Sequence, residues 1–187
     1  SYSLFNIDYE GDYSVYLNDP RNINLGKKLI TNKKILIEKE RFKEINETEY
    51  HEILINHTTP YSPFDILENK SLLLENNFDN LNAIDWDKGC YVGQEITARM
   101  KYRGLLKKKL YALKIKSGDV LEGDELIVDN KKIGTIVSKA NSNIFAALNI
   151  NFVNEIKNKD QNLVINDSLS FDFLNWKFFS IKTYWNY

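Results

Sequence analysis

The stretch Lys88-Gly89-Cys90-Tyr91-Val92-Gly93-Gln94-Glu95 holds the only cysteine of a 187-residue chain. Glycines on both sides of Cys90 allow a tight loop that presents the thiol. The residues that follow have helical composition, with Glu95 in the first turn, where a carboxylate is favoured. Lys88 and Arg99 place a positive charge on each side of the thiol in the sequence. A thiol just before a helix N-terminus, with cations nearby, is in the setting that lowers a cysteine pKa.

A single cysteine also has a plain structural explanation. Free cysteine is among the most buried residue types and packs as a small hydrophobe. The flanking glycines and charged neighbours speak against a core position, because a core position needs neither. The residues alone leave both roles open for Cys90.

The same stretch carries a family resemblance. Lys-Gly-Cys-Tyr-x-Gly-Gln-Glu, followed by Ala98-Arg99 and Arg103-Gly104, resembles the signature of the YgfZ-type folate-binding proteins. These are relatives of the glycine-cleavage T-protein (aminomethyltransferase) that act in iron–sulfur cluster assembly or repair. The resemblance is strong from Glu75 to Gly104 and looser elsewhere. It implies an N-terminally truncated chain, since the family carries roughly a hundred more residues upstream.

The resemblance implies an α+β fold in two parts. Residues 1–104 are expected to be the C-terminal portion of a T-protein-like folate-binding domain, with the cysteine loop at 88–95. Residues 105–187 are expected to form a small antiparallel β-barrel domain. Period-two alternation between turn signals supports the barrel. It predicts strands at 111–115, 126–128, 133–137, 144–150, 163–165, 169–173 and 178–184.

The resemblance also implies a function: a folate-binding accessory factor for maturation or repair of iron–sulfur proteins, including cluster-dependent tRNA-modifying enzymes. Cys90 would be the reactive group. One thiolate cannot hold a cluster alone, as clusters need about four thiolate ligands, so an iron–sulfur client or carrier protein is the expected partner. Tetrahydrofolate is the expected cofactor, and its expected contacts are Lys88, Tyr91, Gly93, Gln94, Glu95, Arg99, Arg103 and Glu75. Capping of a nearby turn is the alternative role for Glu75.

The alternative function is a folate-dependent aminomethyl or C1 transferase. In T-proteins the corresponding helix reads Leu-Arg-x-Glu-Ala-Gly, and its acid contacts the pterin. Here Leu54, Asn56 and Thr58 stand where Arg, Glu and Gly are expected. A neutral Asn can still hydrogen-bond a pterin, but the charge is lost. These departures speak against C1 transfer.

The first half of the chain predicts several short elements. A hairpin is expected over 5–17, turning at Glu10-Gly11-Asp12, and a strand at 34–39. Asn46 and Glu49 predict a capping box, with a helix of about three turns that ends before Thr59-Pro60. Spacing every three residues at Phe78, Leu81 and Ile84 predicts a short helical turn that buries these three side chains.

The two histidines, His51 and His57, lie on this helix. We expect His51 on its polar face and His57 at the end of its apolar stripe, both structural and neither a metal ligand. The Asp19-Pro20-Arg21 run, with Leu25-Gly26 after it, also resembles the family. A plain turn with a solvated Arg is an equal alternative.

Composition limits the remaining classes. The net charge of −1 gives no global attraction to nucleic acid or an anionic membrane, and neither is an expected partner. The run Lys107-Lys108-Lys109 is expected to be a solvated strand entry; attraction of an anionic tail, such as that of a polyglutamylated folate, is the alternative. One cysteine forms no internal disulfide, which fits a reducing compartment. Bacterial cytoplasm is the expected location, with the mitochondrial matrix as alternative.

Overall fold

A computed structural model describes residues 14–31, 44–89, 93–158, 163–165 and 168–174. Three α-helices, one short 3₁₀ helix (Ile23–Leu25) and eight strands lie in these ranges. In chain order the α-helices and strands are β1 (Ser14–Asn18), β2 (Lys27–Thr31), α1 (Glu47–Asn56), α2 (Gln94–Tyr102), β3 (Lys108–Ser117), β4 (Glu125–Val128), β5 (Lys131–Ala140), β6 (Asn143–Asn149), α3 (Ile150–Asn158), β7 (Leu163–Ile165) and β8 (Leu169–Phe173).

The six strands β3 to β8 form one antiparallel sheet in the order β4-β5-β6-β3-β8-β7. Its two edge strands, β4 and β7, contact each other, so the sheet is nearly closed into a barrel. Inward-facing apolar side chains fill it, among them Leu113, Ile136, Leu148 and Phe171. The predicted α+β class with a small antiparallel barrel is confirmed. The predicted boundary between two domains at residue 104 stays a prediction.

The hairpin of β4 and β5 shows how local sequence sets the barrel. Asp129 and Asn130 form its two-residue turn with φ of 49° and 59°. Positive φ at both positions is the type I′ turn, whose twist matches that of paired strands, and Asp and Asn tolerate it well. The predicted strands at 126–128 and 133–137 are therefore joined by this turn.

Helix α1 begins with the predicted capping box. The Glu49 amide donates to Asn46 Oδ1 at 2.8 Å, and the Asn46 amide donates to Glu49 Oε2 at 3.0 Å. The helix ends at Asn56, before Pro60, as predicted. Its buried Ile55 packs against Leu110 and Phe145 of the barrel. This contact joins the helix to the outer side of the sheet.

Helix α3 was not predicted. The strand expected over 144–150 ends at Asn149, whose Oδ1 accepts from the amides of Asn151 and Phe152 at 2.9 and 3.2 Å. This cap starts the helix, and Val153 and Ile156 then pack into the barrel core. The apolar residues after β6 therefore follow a helical spacing that the preceding strand pattern obscured.

The strand β1 pairs with β2 in antiparallel register, from Ser14 opposite Thr31 to Asn18 opposite Lys27. The sequence did not predict this pairing. The hairpin turn at Glu10-Gly11-Asp12 and the strands at 34–39 and 178–184 lie outside the described residues. No helix in the described ranges has the length and apolar character needed to cross a bilayer.

The predicted helical turn near residue 80 is instead a series of hydrogen-bonded turns. Asn77 and Asn82 adopt φ of 63° and 55°, which breaks helical continuity. Leu81 is buried as predicted, whereas Phe78 and Ile84 are only half-buried. These turns place the segment against the barrel, where Asn77 Nδ2 donates to the Leu110 carbonyl at 2.7 Å.

Candidate functional site

Helix α2 starts where the sequence predicts, just after the cysteine loop. Gly93 precedes it with φ of 88°, a left-handed conformation that glycine adopts at no steric cost. Gly89 has no such φ, and its surroundings are open. Cys90 and Tyr91 lie outside the described residues. The first-turn amides of α2 face its N-terminal end, and Gly93 offers them no side-chain cap, so this end of the helix favours a negative charge.

The predicted site residues on α2 are partly brought together. Arg99 pairs with Glu95 one turn earlier, and both side chains are largely exposed. Arg103 follows the helix as its C-cap, also exposed, with its amide donating to the Arg99 carbonyl at 3.0 Å. Gln94 is half-buried and Lys88 is exposed. Three predicted residues, Glu95, Arg99 and Arg103, therefore share the solvent side of one helix.

The described contacts of Glu75 do not include Glu95, Arg99 or Arg103. Its carboxylate lies 3.3 Å from Lys108 Nζ, at the start of β3, and its carbonyl accepts from the Leu110 amide at 2.8 Å. The contact described for the Glu75 side chain is thus an ion pair and not the predicted turn cap. It fastens the segment before the cysteine loop to the barrel.

The lysine run at 107–109 is less solvated than expected. Lys108 pairs with Glu75, and Lys109 lies 3.4 Å from Asp79 with its side chain only 14% exposed. In the described part of the chain, Lys107 forms no ion pair. The expectation of a plain solvated strand entry is therefore wrong for Lys109, because the turns at 72–82 bring the Asp79 carboxylate to it.

An aromatic and cationic cluster that sequence reasoning missed closes the base of the loop. The Lys101 ammonium lies 3.5 Å from the centroid of the Trp86 ring, and the Tyr102 ring meets Trp86 edge-on at a centroid distance of 6.4 Å. Trp86 precedes the loop and the other two end α2. In the sequence, the one indication of this cluster was that Trp86 lies shortly before the loop and that Lys101 and Tyr102 follow it. Burial lowers the pKa of Lys101, whereas the charges of Asp79 and Asp87 act to raise it.

Within the run Asp19-Pro20-Arg21, Arg21 forms an ion pair with Asp19. Arg21 Nη2 and Nε donate to the Asp19 carboxylate at 2.7 and 3.0 Å, and Lys28 Nζ approaches it at 3.3 Å. The hydrogen bond from the Arg21 side chain holds the pKa of the buried Asp19 well below its usual range, despite desolvation. The solvated-Arg alternative is therefore wrong: Arg21 is half-buried and locked to Asp19.

Residues next to this ion pair form hydrogen bonds to two other parts of the chain. Asn22 Nδ2 donates to the His57 carbonyl at 3.3 Å, at the end of α1. Asn82 Nδ2 donates to the Pro20 carbonyl at 3.3 Å, from the turns that precede the cysteine loop. The run thus bridges α1 and the approach to the loop.

We expected His51 on the polar face of α1. It is instead buried, with 6% of its surface exposed. Its Nε2 lies 2.9 Å from Asp65 Oδ1, and its ring stacks on Phe64 at a centroid distance of 5.1 Å. Asp65 also accepts from the Ser138 hydroxyl and, at 2.7 Å, from the Tyr61 amide. These three hydrogen bonds compensate for the loss of water around the buried Asp65 carboxylate. The group joins α1 to β5, which agrees with the expected structural role of His51.

The three positions that depart from the T-protein pattern lie at the end of α1. Leu54 is fully buried, and Asn56 Oδ1 accepts from Asn143 Nδ2 at 3.0 Å. Thr58 has φ of 52°, a strained conformation for a β-branched residue and an easy one for glycine. Its buried hydroxyl makes no hydrogen bond to the described residues. None of the three supplies a carboxylate.

A folate requires partners for its pterin and cations for its carboxylate tail. The described residues fit the tail, for which Lys107 and Arg103 are exposed cations. They fit the pterin poorly, because Glu75 is engaged by Lys108 and Asn56 by Asn143. Within the described ranges, no group of three His, Cys, Asp or Glu side chains is placed to hold a metal ion.

Comparison with known proteins relates the chain to one class. It is 32% identical over 137 residues to the mitochondrial iron–sulfur cluster assembly factor IBA57 homolog of Dictyostelium discoideum, covering 70% of this chain and 33% of that protein. It is 29% identical over 104 and 106 residues to the mitochondrial iron–sulfur cluster assembly factor IBA57 of Mus musculus and of Homo sapiens. These matches cover 54% and 56% of this chain, and 28% and 29% of the relatives. No protein-family model matches the chain.

The chain spans about a third of the length of these relatives. Within that span, its sequence is similar to that of iron–sulfur cluster assembly factors, and the chain is a homologue of this part of them.

Proposed function

We propose that the chain is part of an accessory factor for the assembly or repair of iron–sulfur proteins, and that Cys90 is its reactive group. The observation that carries the proposal is the similarity to iron–sulfur cluster assembly factors over 137 residues. The cysteine loop resembles a motif of the same biochemical context. The clients we propose are iron–sulfur enzymes, including those that modify tRNA.

The placement of α2 supports a chemical role for the thiol. The helix begins at Gln94, its uncapped first turn favours a negative charge, and a thiolate is such a charge. A thiolate can ligate iron, although one alone cannot hold a cluster. Cys90 would therefore act together with thiolates of a client or carrier protein.

Folate binding is a second part of the proposal. The exposed cation Lys107 suits the tail carboxylates, whereas partners for the pterin must come from beyond the described residues. No step of the assembly reaction is assigned to the folate. Titration of tetrahydrofolate into the protein, followed by tryptophan fluorescence or calorimetry, tests this part. Saturable binding weakened by Lys107→Glu supports it, and the absence of binding by the full-length protein contradicts it.

Aminomethyl transfer is not part of the proposal. That reaction was the alternative, and it needs a carboxylate or a free amide at the pterin. Leu54 is buried and apolar, and the Asn56 side chain bonds to Asn143. The mitochondrial relatives favour the mitochondrial matrix over the bacterial cytoplasm as the compartment we propose.

The alkylation rate of Cys90 against pH tests the proposed thiolate. The chain has one cysteine, so the signal has one source. An inflection well below the free-thiol pKa of about 8.5 is expected. An inflection at that value, or an unreactive thiol in folded protein, would contradict a reactive role.

A further inference from the structure

Helix α2 turns a distinctive surface to solvent. Thr97 and Met100 are its buried residues. Successive residues of a helix are about 100° apart, so the residues opposite these two form one continuous strip. In angular order the strip consists of Tyr102, Glu95, Arg99, Arg103 and Ile96, and we refer to it as the α2 face.

The α2 face has apolar borders and a cationic centre. Ile96 is 59% exposed and Tyr102 is 70% exposed, one at each border. The guanidinium groups of Arg99 and Arg103 lie between them. Tyrosine and arginine are among the residue types most enriched at the energetic centres of protein interfaces. The Tyr102 ring meets Trp86 with one edge and leaves most of its surface in solvent. The composition is that of a contact surface.

The charges of this region are separated around the helix. Asp79 and Asp87 act on Lys101, which lies on the other side of α2 from Arg99. The one carboxylate of the α2 face, Glu95, already pairs with Arg99. Among the described residues, none forms an ion pair with Arg103. The α2 face is therefore net positive, and it complements a negative surface.

We propose that the α2 face docks the iron–sulfur protein on which this factor acts, through a surface of that partner that carries carboxylates at its centre with apolar side chains at its borders. The inference rests on the proposed function. Helix α2 is about 13 Å long at 1.5 Å per residue. A standard interface buries about 800 Å² per partner, roughly 28 Å across, so a protein seated on the α2 face extends past the N-terminal end of the helix. Cys90 is four residues before Gln94 in the sequence, a chain reach of at most about 14 Å, so we infer that the docked partner presents its thiolates within reach of this residue.

A protein surface suits the α2 face better than a nucleic acid does. Glu95 is 74% exposed beside the guanidinium group of Arg99 and would repel phosphates. Its pairing with Arg99 and the apolar side chains at both borders instead match a mixed acidic and apolar protein surface.

The test is site-specific photo-crosslinking in cells that express the full-length protein. A photoreactive phenylalanine replaces Tyr102, and a matched control replaces Lys114, which is exposed on β3. We expect Tyr102 to crosslink an identified iron–sulfur protein at a carboxylate-bearing surface, with at least tenfold less product from Lys114. Arg103→Glu should lower the yield about tenfold, and a carboxylate-to-lysine change at the crosslinked site of the partner should restore it. Arg103→Gln, with an intermediate yield, controls for folding.

Three results would overturn the inference. They are no protein crosslink from Tyr102, crosslinks to nucleic acid, and a yield insensitive to Arg103→Glu. Failure of the proposed function gives a different pattern. If Cys90→Ser abolishes iron–sulfur enzyme activity while Arg99→Glu with Arg103→Glu preserves it, the docking inference alone fails. If Cys90→Ser preserves activity, the proposed function fails.

Discussion

The ammonium of Lys101 lies 3.5 Å from the centroid of the Trp86 ring, so the last turn of α2 holds the residue that leads into the cysteine loop. The loop starts after Trp86 and ends at α2, and this contact closes it at its base. A cation over an indole stabilises a fold by about 0.5–1 kcal/mol where the pair is partly exposed. The segments on the two sides of the loop are therefore joined by two residues outside the family-like motif.

Removing the Lys101 charge should loosen this closure. We expect Lys101→Met to lower the free energy of unfolding by about 0.5–1 kcal/mol in urea titrations, and to shift the Trp86 emission to longer wavelength. The measurement uses a Trp176→Phe and Trp185→Phe background so that Trp86 is the one emitter. Lys101→Arg keeps a cation and should keep the emission. Equal stability and emission in all three proteins would contradict the closure.

Asp19→Asn tests the buried ion pair. We expect it to destabilise the fold by about 2–3 kcal/mol at pH 7, because Arg21 loses a charged acceptor. The folded-state pKa of Asp19 is lowered. Its carboxylate therefore stabilises the fold fully above the unfolded-state value of about 3.9, and this stabilisation is lost as the pH falls through the folded-state pKa.

The difference between wild type and Asp19→Asn should consequently narrow on acidification below about pH 4. Urea unfolding at several pH values measures it. Exposed Glu68→Gln is the control and should change stability by less than about 0.5 kcal/mol. A constant difference between wild type and Asp19→Asn down to pH 2 would be evidence against the pair.

Thr58→Gly should stabilise the protein by about 1 kcal/mol. The change relieves a φ of 52° and removes a buried hydroxyl that has no partner among the described residues, and these gains exceed the chain-entropy cost of glycine. Thermal or urea unfolding measures the gain. The neighbouring Thr59→Gly is the matched control: its hydroxyl bonds to the His57 carbonyl at 3.2 Å, so its loss should destabilise. Destabilisation by both changes would show that Thr58 is not strained.

Gly93→Ala should destabilise the start of α2 by about 1–2 kcal/mol, because alanine at φ of 88° is strained although the space around it is open. Gly89→Ala meets equally open space without a positive φ and should cost less than about 0.5 kcal/mol. Hydrogen exchange of the α2 amides compares the two. Equal protection in both variants would remove the special role of Gly93.

Much of the fold was predictable from local chemistry. The capping pair Asn46 and Glu49 and the helix after Gly93 depend on neighbouring residues, and both were predicted correctly. Helix α3 was missed because the strand pattern before it obscured its spacing, whereas other missed features depend on contacts distant in sequence. His51 looked solvent-facing because its partner Asp65 is 14 residues away, and Asp65 in turn accepts from Ser138 of β5.

In the candidate site, too, the local features were predictable and the contacts between separate segments were not. The helix that carries Glu95 and Arg99 was predicted from the composition of the residues after Gly93. The capture of Glu75 by Lys108 and the cluster at Trp86 were not predicted, because each joins segments that are separated by the cysteine loop and most or all of α2. The roles of Cys90 and Tyr91 stay predictions.

The central claim is that Cys90 serves iron–sulfur assembly. Its most direct test is the activity of a [4Fe–4S] enzyme, per unit of that enzyme, in cells that lack the endogenous factor and express the full-length protein or its Cys90→Ser variant at equal levels. We predict that the wild-type protein restores the activity and that Cys90→Ser does not, while enzymes without clusters are unaffected. Restoration by Cys90→Ser equal to that by the wild type would contradict the claim.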